Sequence, residues 1–353
     1  MIQEKTIIFS PYYEALASEY SDLTLGRIVL QEKGLYHIIT MRDGHLSGQP
    51  AEVSGKFRFD ASVPSDYPAV GDYVMVDTND GNTAVIHHIL HRRSLFLRRA
   101  AGTANTEQAV AANIDTVFIC MALNNDFNLR RLERYLAAAW ESGSVPVVLL
   151  TKSDLCSDLD LKLAQVQSAA IGVDILTTSA LRNELASLLS YMAPGKTVAF
   201  VGSSGAGKST LINRLLGEER LKTGGLRNDD RGRHTTTHRE LIILPGGAMV
   251  IDTPGMRELG MWGASEGIDT AFADIEELAE ECRFSNCTHS GEPGCAVCEA
   301  LKTGKLSQSR WQSYLKLTAE NAYAEDSESY LAAKEKKFKD IAKYNRVKCN
   351  KRK

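Results

Sequence analysis

The sequence has no apolar run that approaches the roughly 18–20 residues needed for a membrane-spanning helix. Its first residues, Met-Ile-Gln-Glu-Lys-Thr, lack the basic stretch followed by an apolar stretch that marks a secretory leader. There is also no internal repeat, and low complexity is confined to a lysine-rich C-terminal stretch. We therefore expect a cytoplasmic protein with reduced thiols and no membrane partner.

The chain also lacks a strong net charge, because its 353 residues carry a formal charge of −3. This average hides an asymmetry. Residues 331–353 contain ten Lys and Arg against two acidic residues, a local +8, so the remainder carries −11. The overall charge thus says nothing about nucleic acid. The basic tail favours nucleic-acid contact, and its alternative is a solvated, disordered end.

The first third of the chain contains short β-type runs separated by turn residues. Five such strands in about 70 residues predict a small barrel, and an OB-fold fits this count. Basic residues follow at 87–99 around Phe96, which predicts either contact with an RNA backbone or a solvated strand edge and linker. A short helix is expected before residue 20. The predicted strands are 25–30, 35–40, 52–59, 72–77 and 83–90, with breaks at Gly34, Asp43-Gly44, Gly48, Gly71 and Asp80-Gly81.

From about residue 113 the pattern changes to alternating strands and helices. This alternation predicts a parallel sheet with helices on both faces and ligand-binding loops at the carboxyl ends of its strands. Asn128 is expected to cap the first helix, and another helix is predicted over about 182–192. The predicted strands are 116–123, 145–150, 173–176 and 198–201, followed by a hairpin of 241–244 and 249–251.

A strand, a glycine loop and a helix follow one another around residue 200. The intervening pattern, Gly-x-x-x-x-Gly-Lys-Ser, is that of a P-loop, whose backbone N–H groups surround phosphate oxygens at the positive end of a helix. Lys208 would reach the β- and γ-phosphates, and the Ser209 hydroxyl would ligate Mg²⁺. The residues predicted to bind nucleotide here are Gly202, Ser203, Ser204, Gly205, Ala206, Gly207, Lys208, Ser209 and Thr210.

Two other strand ends carry groups that can recognise guanine. One strand runs into Thr151-Lys152-Ser153-Asp154, the Thr-Lys-x-Asp form of a guanine motif. The Asp154 carboxylate would accept hydrogen bonds from N1–H and the N2 amine of guanine, which adenine does not offer in that place. The Lys152 stem would pack over the base. The next strand leads to Ser179 and to Ala180, whose backbone N–H would donate to guanine O6.

The switch elements of a GTPase are predicted after the P-loop. Asp252 would hold Mg²⁺, and the Gly255 N–H would contact the γ-phosphate. One of Thr235, Thr236 and Thr237 would close over the metal in the triphosphate state, and we assign Thr236.

The residue after Gly255 is Met256, which cannot hydrogen-bond an attacking water. We therefore predict slow intrinsic hydrolysis, with a polar group supplied by a partner or by His234 as the catalytic candidate. The alternative for His234 is an ordinary solvent-facing loop histidine.

The order of these parts is unusual. The guanine-recognising segments precede the P-loop and the switches, whereas ordinary small GTPases begin with the P-loop. This order indicates a circular permutation, which a compact domain with neighbouring termini tolerates. It also places the second switch directly before the C-terminal region, so that hydrolysis would reposition the cysteine-containing module.

Four of the seven cysteines stand within seventeen residues, and His289 lies between them. The spacing Cys282-x₄-Cys287-x-His289-x₅-Cys295 offers three thiolates and an imidazole, enough for a closed, structural Zn²⁺ site. Cys298 is either a competing fourth ligand or a spare thiol, so spacing alone leaves the ligand choice open. Reduced core cysteines and redox cysteines are the other interpretations.

Together these parts resemble the RsgA family, the bacterial ribosome-small-subunit-dependent GTPases. The resemblance covers about residues 20–320, and its most specific parts are 232–237 and 282–289. It implies a multidomain α/β protein with an OB-fold barrel, a circularly permuted GTPase domain and a zinc domain. It further implies Zn²⁺ ligation by Cys282, Cys287, His289 and Cys295, without Cys298. Thr151 departs from the family, which usually has Asn there.

The resulting hypothesis is a monomeric GTPase that binds the small ribosomal subunit and its rRNA. It would hydrolyse GTP to GDP and phosphate under stimulation by the subunit, late in subunit maturation. The opposing hypothesis is an RNA-binding scaffold in which nucleotide is only a structural ligand. A permuted GTPase of the large subunit fits the flanking barrel and zinc module poorly. The predicted domains are 1–105 (extension and barrel), 106–265 (GTPase) and 266–353 (zinc domain and basic tail).

Overall fold

A computed structural model describes residues 9–32, 34–43, 45–78, 83–99, 107–124, 126–180, 182, 184–221, 239–252 and 264–325. The strands are β1 (Thr24–Gln31), β2 (Tyr36–Arg42), β3 (His45–Val53), β4 (Tyr73–Asp77), β5 (Ala84–Ile89), β6 (Leu95–Arg99), β7 (Glu107–Ala112), β8 (Thr116–Ala122), β9 (Val145–Thr151), β10 (Asp174–Thr177), β11 (Thr197–Gly202), β12 (Arg239–Ile243) and β13 (Met249–Asp252). The helices are α1 (Pro11–Ala17), α2 (Gly55–Asp60), α3 (Leu129–Glu141), α4 (Leu159–Ala169), α5 (Ala186–Leu189), α6 (Lys208–Leu216), α7 (Ser265–Ala271), α8 (Ala273–Glu280), α9 (Ala296–Thr303) and α10 (Gln308–Glu325).

The first five strands form a closed barrel. They pair in the order β1-β2-β3-β5-β4, and β4 pairs back with β1 to complete the ring. Buried and less buried residues alternate along β2, where Tyr36, Ile38 and Thr40 are buried, because successive side chains of a strand point to opposite faces. The predicted five-stranded barrel is thus confirmed.

The segment predicted as strand 52–59 is different in the structure. The strand β3 ends at Val53, and the short helix α2 follows it, capped by the Ser54 hydroxyl, which accepts a hydrogen bond from Phe57 N at 3.0 Å. The alternation of Phe57 and Phe59 with basic residues imitated a strand, but Phe59 is 89% exposed and contributes no core. Gly48, predicted as a break, lies inside β3 opposite Ile39. In place of the helix predicted over 182–192, the structure has the shorter helix α5, Ala186–Leu189.

The second half of the sheet is a parallel α/β layer, as predicted. The strands β10, β9, β8, β11 and β13 are parallel neighbours in that order, and β12 joins β13 antiparallel. Along β8, Val117 and Ile119 pack with side chains of α3 and α4, whereas Phe118 packs with those of α5 and α6. Both faces of the sheet are therefore covered, and the carboxyl ends of the parallel strands meet at one edge.

The barrel and the parallel layer belong to one continuous sheet. The strand β12 pairs with barrel strand β1 through Leu30 opposite Glu240 and Gln31 opposite Arg239. The fully buried Arg27 side chain strengthens this joint, because its Nη2 donates to Thr197 Oγ1 at 2.7 Å and its guanidinium lies 4.6 Å from the Tyr73 ring centroid. Buried charge is tolerated only with such partners.

Residues 264–325, which we call the C-terminal module, pack on α3 of the parallel layer. Gly267 allows the closest approach, since a Cβ at that position would lie 2.1 Å from the Ala137 carbonyl oxygen. Arg310 is 6% exposed and forms ion pairs with Glu133 of α3 at 3.1 Å and with Asp274 of α8 at 2.5 Å. Among the described residues, no helix combines the length and apolar character required to cross a membrane.

Candidate functional site

The P-loop lies between β11 and α6, at the carboxyl edge of the parallel strands. Gly202 and Gly207 have φ angles of 138° and 89°, backbone conformations that favour glycine. A Cβ at Gly202 would also lie 2.2 Å from the Cys120 carbonyl oxygen, so this position has no room for a side chain. The loop therefore has the glycine-dependent path that the motif predicts, ending at the N-terminus of α6.

Lys208 folds back over the P-loop. Its ammonium group donates to the carbonyl oxygens of Gly202 at 2.7 Å and Ser203 at 2.6 Å. Ser209 and Thr210 follow in the first turn of α6, where they are half-buried. The cationic side chain and the helix N-terminus are thus on the same side of the loop, as binding of a phosphate anion requires.

The two segments predicted to recognise guanine meet at the ends of β9 and β10. Asp154 accepts a hydrogen bond from the Ser179 hydroxyl at 2.6 Å, and Ser179 is fully buried, so the carboxylate is held in one orientation. Lys152 has a φ of 59°, which turns the chain sharply after the strand. Ser153 N donates to the Thr178 carbonyl oxygen at 3.3 Å, and Ala180 follows Ser179 at the site. The structure therefore brings together two segments separated by about 25 residues.

Thr151 connects the guanine motif to the P-loop. Its buried hydroxyl donates to the Ala206 carbonyl oxygen at 2.7 Å. This contact explains in physical terms how Thr can stand at position 151, where the family usually has Asn. A threonine hydroxyl supplies the hydrogen-bond donor that the P-loop carbonyl needs.

Asp126 is a residue at this site that sequence reasoning missed. It lies between β8 and α3, where it accepts hydrogen bonds from the Ser203 hydroxyl and from Arg131 Nη1, the latter at 2.7 Å. Burial raises the pKa of Asp126, but the hydrogen bonds from Arg131 and Ser203 and the nearby Lys152 charge bring it below its ordinary value. No sequence motif marks this residue, because its P-loop partner is 77 positions away.

The switch elements are only partly described. Asp252 is half-buried at the end of β13, opposite Glu240 of β12, and its position at the carboxyl edge fits the predicted role. Gly255, Met256, His234 and residues 235–237 lie outside the described part of the chain.

The predicted cysteine and histidine ligands converge in the C-terminal module. One ligand atom from each of Cys282, Cys287, His289 and Cys295 lies within 4.8 Å of all the others. His289 Nδ1 is 3.6 Å from Cys282 Sγ and 3.4 Å from Cys295 Sγ. Such a compact group of soft ligand atoms indicates a metal site.

Two local features support this metal centre. Burial raises the pKa of the Cys295 thiol, but the Cys298 backbone N–H and His289 outweigh that effect and lower it to about 6, which favours the metal-binding thiolate. The His289 ring packs edge-on against Trp311 of α10, with ring centroids 5.8 Å apart. The Cys298 thiol points elsewhere, towards the His289 carbonyl oxygen at 3.4 Å.

Two residues of the basic segment 87–99 are committed to the fold. The Arg92 side chain donates to both carboxylate oxygens of Asp72, at 2.9 and 2.7 Å, and to the carbonyl oxygens of Ser65 and Tyr67. Phe96 is 1% exposed and belongs to the core. Neither residue is therefore placed to contact RNA.

Comparison with known proteins agrees with this geometry. The sequence model of a family described as RsgA GTPase matches residues 89–262. A protein of Lactiplantibacillus plantarum named small ribosomal subunit biogenesis GTPase RsgA 2 is 50% identical over 301 residues, which cover 85% of this chain and 84% of that protein.

Two solved structures share the fold of this chain. The crystal structure of YjeQ from Thermotoga maritima superposes with a TM-score of 0.60 at 26% identity, covering 84% of this chain and 97% of that one. The crystal structure of YloQ, described as a circularly permuted GTPase, has a TM-score of 0.60 at 25% identity and covers 85% of this chain and 95% of that one. With half of the aligned residues identical over most of both sequences, this chain belongs to the RsgA GTPase family.

Proposed function

We propose that this GTPase acts in small ribosomal subunit biogenesis. In this proposal it binds the small subunit and its rRNA late in maturation, and the subunit stimulates hydrolysis of GTP to GDP and phosphate. The observation that carries the proposal is the direct contact between Thr151 and the P-loop carbonyl of Ala206, because it joins a guanine-recognising segment to a phosphate-binding one. The names of the relatives supply the ribosomal partner.

The guanine side of the site would select GTP over ATP. Asp154 would accept hydrogen bonds from the two guanine donors, N1–H and the N2 amine, while Ser179 holds its carboxylate in place. The Ala180 backbone N–H would donate to guanine O6, and the Lys152 stem would cover the base. A site of such polar partners discriminates strongly, because an incorrect base leaves them unpaired.

The phosphate side would neutralise and orient the triphosphate. Lys208 would leave the Gly202 and Ser203 carbonyl oxygens and move to the β- and γ-phosphates. Ser209 and Asp252 are the described residues that would hold Mg²⁺, which supplies charge neutralisation at the transferred phosphate. Thr236 is proposed to close over the metal, and the Gly255 N–H is proposed to contact the γ-phosphate.

Water activation is proposed to depend on the ribosomal partner. Met256 cannot orient a water, so slow hydrolysis is expected in the isolated protein. His234 is proposed as the residue that orients the water once the subunit is bound. Hydrolysis would then relax the switches and release the protein.

The metal centre is proposed to hold one structural Zn²⁺. Tetrahedral zinc with bonds of ~2.3 Å to sulfur and ~2.0 Å to nitrogen places two sulfurs about 3.8 Å apart and sulfur about 3.5 Å from nitrogen. The Cys282 and Cys295 sulfurs are 3.9 Å apart, close to the sulfur–sulfur distance. They lie 3.6 and 3.4 Å from His289 Nδ1, close to the sulfur–nitrogen distance. Four protein ligands would leave no open position for catalysis, so this centre would stabilise the module.

Steady-state turnover of GTP and ATP tests the function. We expect low GTP turnover by the protein alone, a large increase with purified small ribosomal subunits, and no increase with large subunits. ATP should not replace GTP. Lys208→Ala should abolish the stimulated turnover, because it removes the phosphate-contacting cation.

Two outcomes would contradict the proposal. If small and large subunits leave GTP turnover unchanged while the protein still binds subunits, it is an RNA-binding scaffold with nucleotide as a structural ligand. If ATP is hydrolysed as efficiently as GTP, the assignment of Asp154 to guanine recognition is wrong.

A further inference from the structure

The Asp126 carboxylate lies beside Ser203, the residue that follows Gly202 in the P-loop, and contacts two different partners. One carboxylate oxygen accepts from the Ser203 hydroxyl, and the other accepts from Arg131 Nη1 at 2.7 Å. Arg131 stands in the first turn of α3, whose N-terminus is capped by the Asn128 side chain. The carboxylate thus links the P-loop to the beginning of a helix that packs on the parallel sheet.

A carboxylate beside a phosphate-binding loop is unfavourable unless its charge is offset. Arg131 is ion-paired with Asp126, and the positive charge of Lys152 also acts on it. These cations and the Ser203 hydrogen bond keep the pKa of Asp126 below its ordinary value despite the opposing effect of burial. Asp126 is therefore ionised at neutral pH, and hydrogen bonds to an ionised acceptor are the stronger kind.

The P-loop is held from two sides. Thr151 at the end of β9 holds Ala206, and Asp126 after β8 holds Ser203, so the contacts flank the exposed residues Ser204 and Gly205. The Lys208 ammonium also bonds the Gly202 and Ser203 carbonyl oxygens. When Lys208 moves to a bound phosphate, the Asp126 contact remains to hold Ser203.

We propose that Asp126 is a positioning residue of the nucleotide site, which holds Ser203 so that the P-loop keeps its phosphate-binding shape before and during nucleotide binding. This inference rests on the nucleotide site proposed above. Preorganisation lowers the ordering cost of binding, so its loss weakens affinity. Because GDP and GTP both place a β-phosphate in the P-loop, the loss should affect both nucleotides equally.

Nucleotide affinity and turnover of four variants test this role. Asp126→Ala and Ser203→Ala should each weaken GDP and GTP binding about tenfold, the effect of one charge-assisted hydrogen bond. The double variant should be no worse than either single one, because the two residues act as a pair. Asp126→Asn keeps an oxygen that can accept from Ser203 but loses the charge, so its effect should be intermediate. Asp158→Asn is the matched control, because Asp158 is an exposed carboxylate paired with Lys162.

The kinetic readout separates positioning from general damage. At saturating GTP, kcat should stay within about twofold of the wild type while KM rises, as expected for loss of an interaction shared by ground and transition states. A fall in kcat with unchanged KM, or additive effects in the double variant, would overturn the proposal. Ser203→Ala removes one oxygen atom, so it tests the contact even where Asp126→Ala fails to fold.

Failure of this inference is distinguishable from failure of the nucleotide site. If the wild type binds GDP and Lys208→Ala does not, the site exists. Wild-type affinity in Asp126→Ala and Ser203→Ala would then contradict the positioning role alone. If the wild type itself binds no guanine nucleotide, the proposed site is wrong.

Discussion

At the scale of single residues, the P-loop depends on side chains that its own motif does not contain. Thr151 satisfies the Ala206 carbonyl oxygen, and both groups are buried. A buried acceptor without its donor loses the interaction with water as well as the hydrogen bond. Single substitutions far along the chain should therefore change nucleotide binding.

Thr151→Val tests this dependence, because it keeps the branched shape and removes only the hydroxyl. We expect GDP affinity to fall about tenfold, corresponding to the ~1–3 kcal/mol cost of an unsatisfied buried carbonyl. Titration with a fluorescent GDP analogue measures the change. Thr116→Val is the matched control, since Thr116 is buried at the opposite, amino end of β8. Equal affinities of Thr151→Val and the wild type would show that the contact does not support the site.

The thiols of the metal centre also differ residue by residue. Cys295 belongs to the compact ligand group, whereas the Cys298 thiol donates to the His289 carbonyl oxygen. We expect Cys298→Ser to retain the zinc content of the wild type and Cys295→Ser to lose it. Elemental analysis of the purified variants measures this difference. Retention in Cys295→Ser together with loss in Cys298→Ser would assign the fourth ligand to Cys298.

At the scale of elements, α10 is attached to α3 by buried charge. The Arg310 guanidinium bonds Glu133 and Asp274 and also donates to the Ala271 carbonyl oxygen at 3.0 Å. Glu133 is fully buried and also pairs with Arg130 at 2.6 Å, so removal of the Arg310 cation takes away one of its two ion-pair partners and breaks the pair with Asp274. The adjacent residue, Trp311, contacts the predicted metal ligand His289, so the same helix supports both the joint and the candidate metal centre.

Arg310→Met should therefore lower the free energy of unfolding by about 2–3 kcal/mol, somewhat less than the loss of a sole buried partner, because Arg130 still neutralises Glu133. Urea denaturation measures this loss. The control is Arg58→Met, which breaks the exposed ion pair with Glu52 and should cost about 1 kcal/mol or less. Similar losses in the two variants would mean that the Arg310 network contributes no special stability.

At the scale of the whole molecule, barrel, parallel layer and C-terminal module are joined through buried contacts. The pairing of β1 with β12 and the burial of Arg27 join the first two, and Arg310 joins the second to the third. If one of these parts contacts the ribosome, the other two are therefore held in a fixed position relative to that contact. The basic residues 331–353 lie outside the described part of the chain.

Truncation of residues 331–353 tests whether this tail contacts rRNA. Removal of ten Lys and Arg should weaken binding to small subunits and make the affinity less dependent on salt, because fewer counterions are released. Sedimentation with subunits at several salt concentrations measures both effects. A tail with the same residues in scrambled order should restore binding, and an uncharged tail of equal length should not. Unchanged salt dependence after truncation would identify the tail as a solvated end.

Local chemistry was predictable from the sequence by itself. The P-loop, the guanine motif and the Cys-x₄-Cys-x-His-x₅-Cys group each consist of near neighbours in the chain, so their spacing indicated their chemistry, although it left the role of Cys298 open. The parallel layer was also predictable, because strand and helix periodicities alternate clearly there. The segment 52–59 was not, since the alternation of Phe57 and Phe59 with basic residues resembled a strand and the Ser54 cap marked the helix only weakly.

The tertiary structure decided which distant residues became partners. Asp126 meets Ser203 across 77 positions, Thr151 meets Ala206 across 55, and Arg310 meets Glu133 across 177. It also assigned Arg92 to the internal carboxylate of Asp72, although the sequence allowed a role on the surface. Local motifs define which groups can act on a nucleotide or a metal. Only folding, which brings separate strand ends to one edge of the sheet, determines what holds those groups in position.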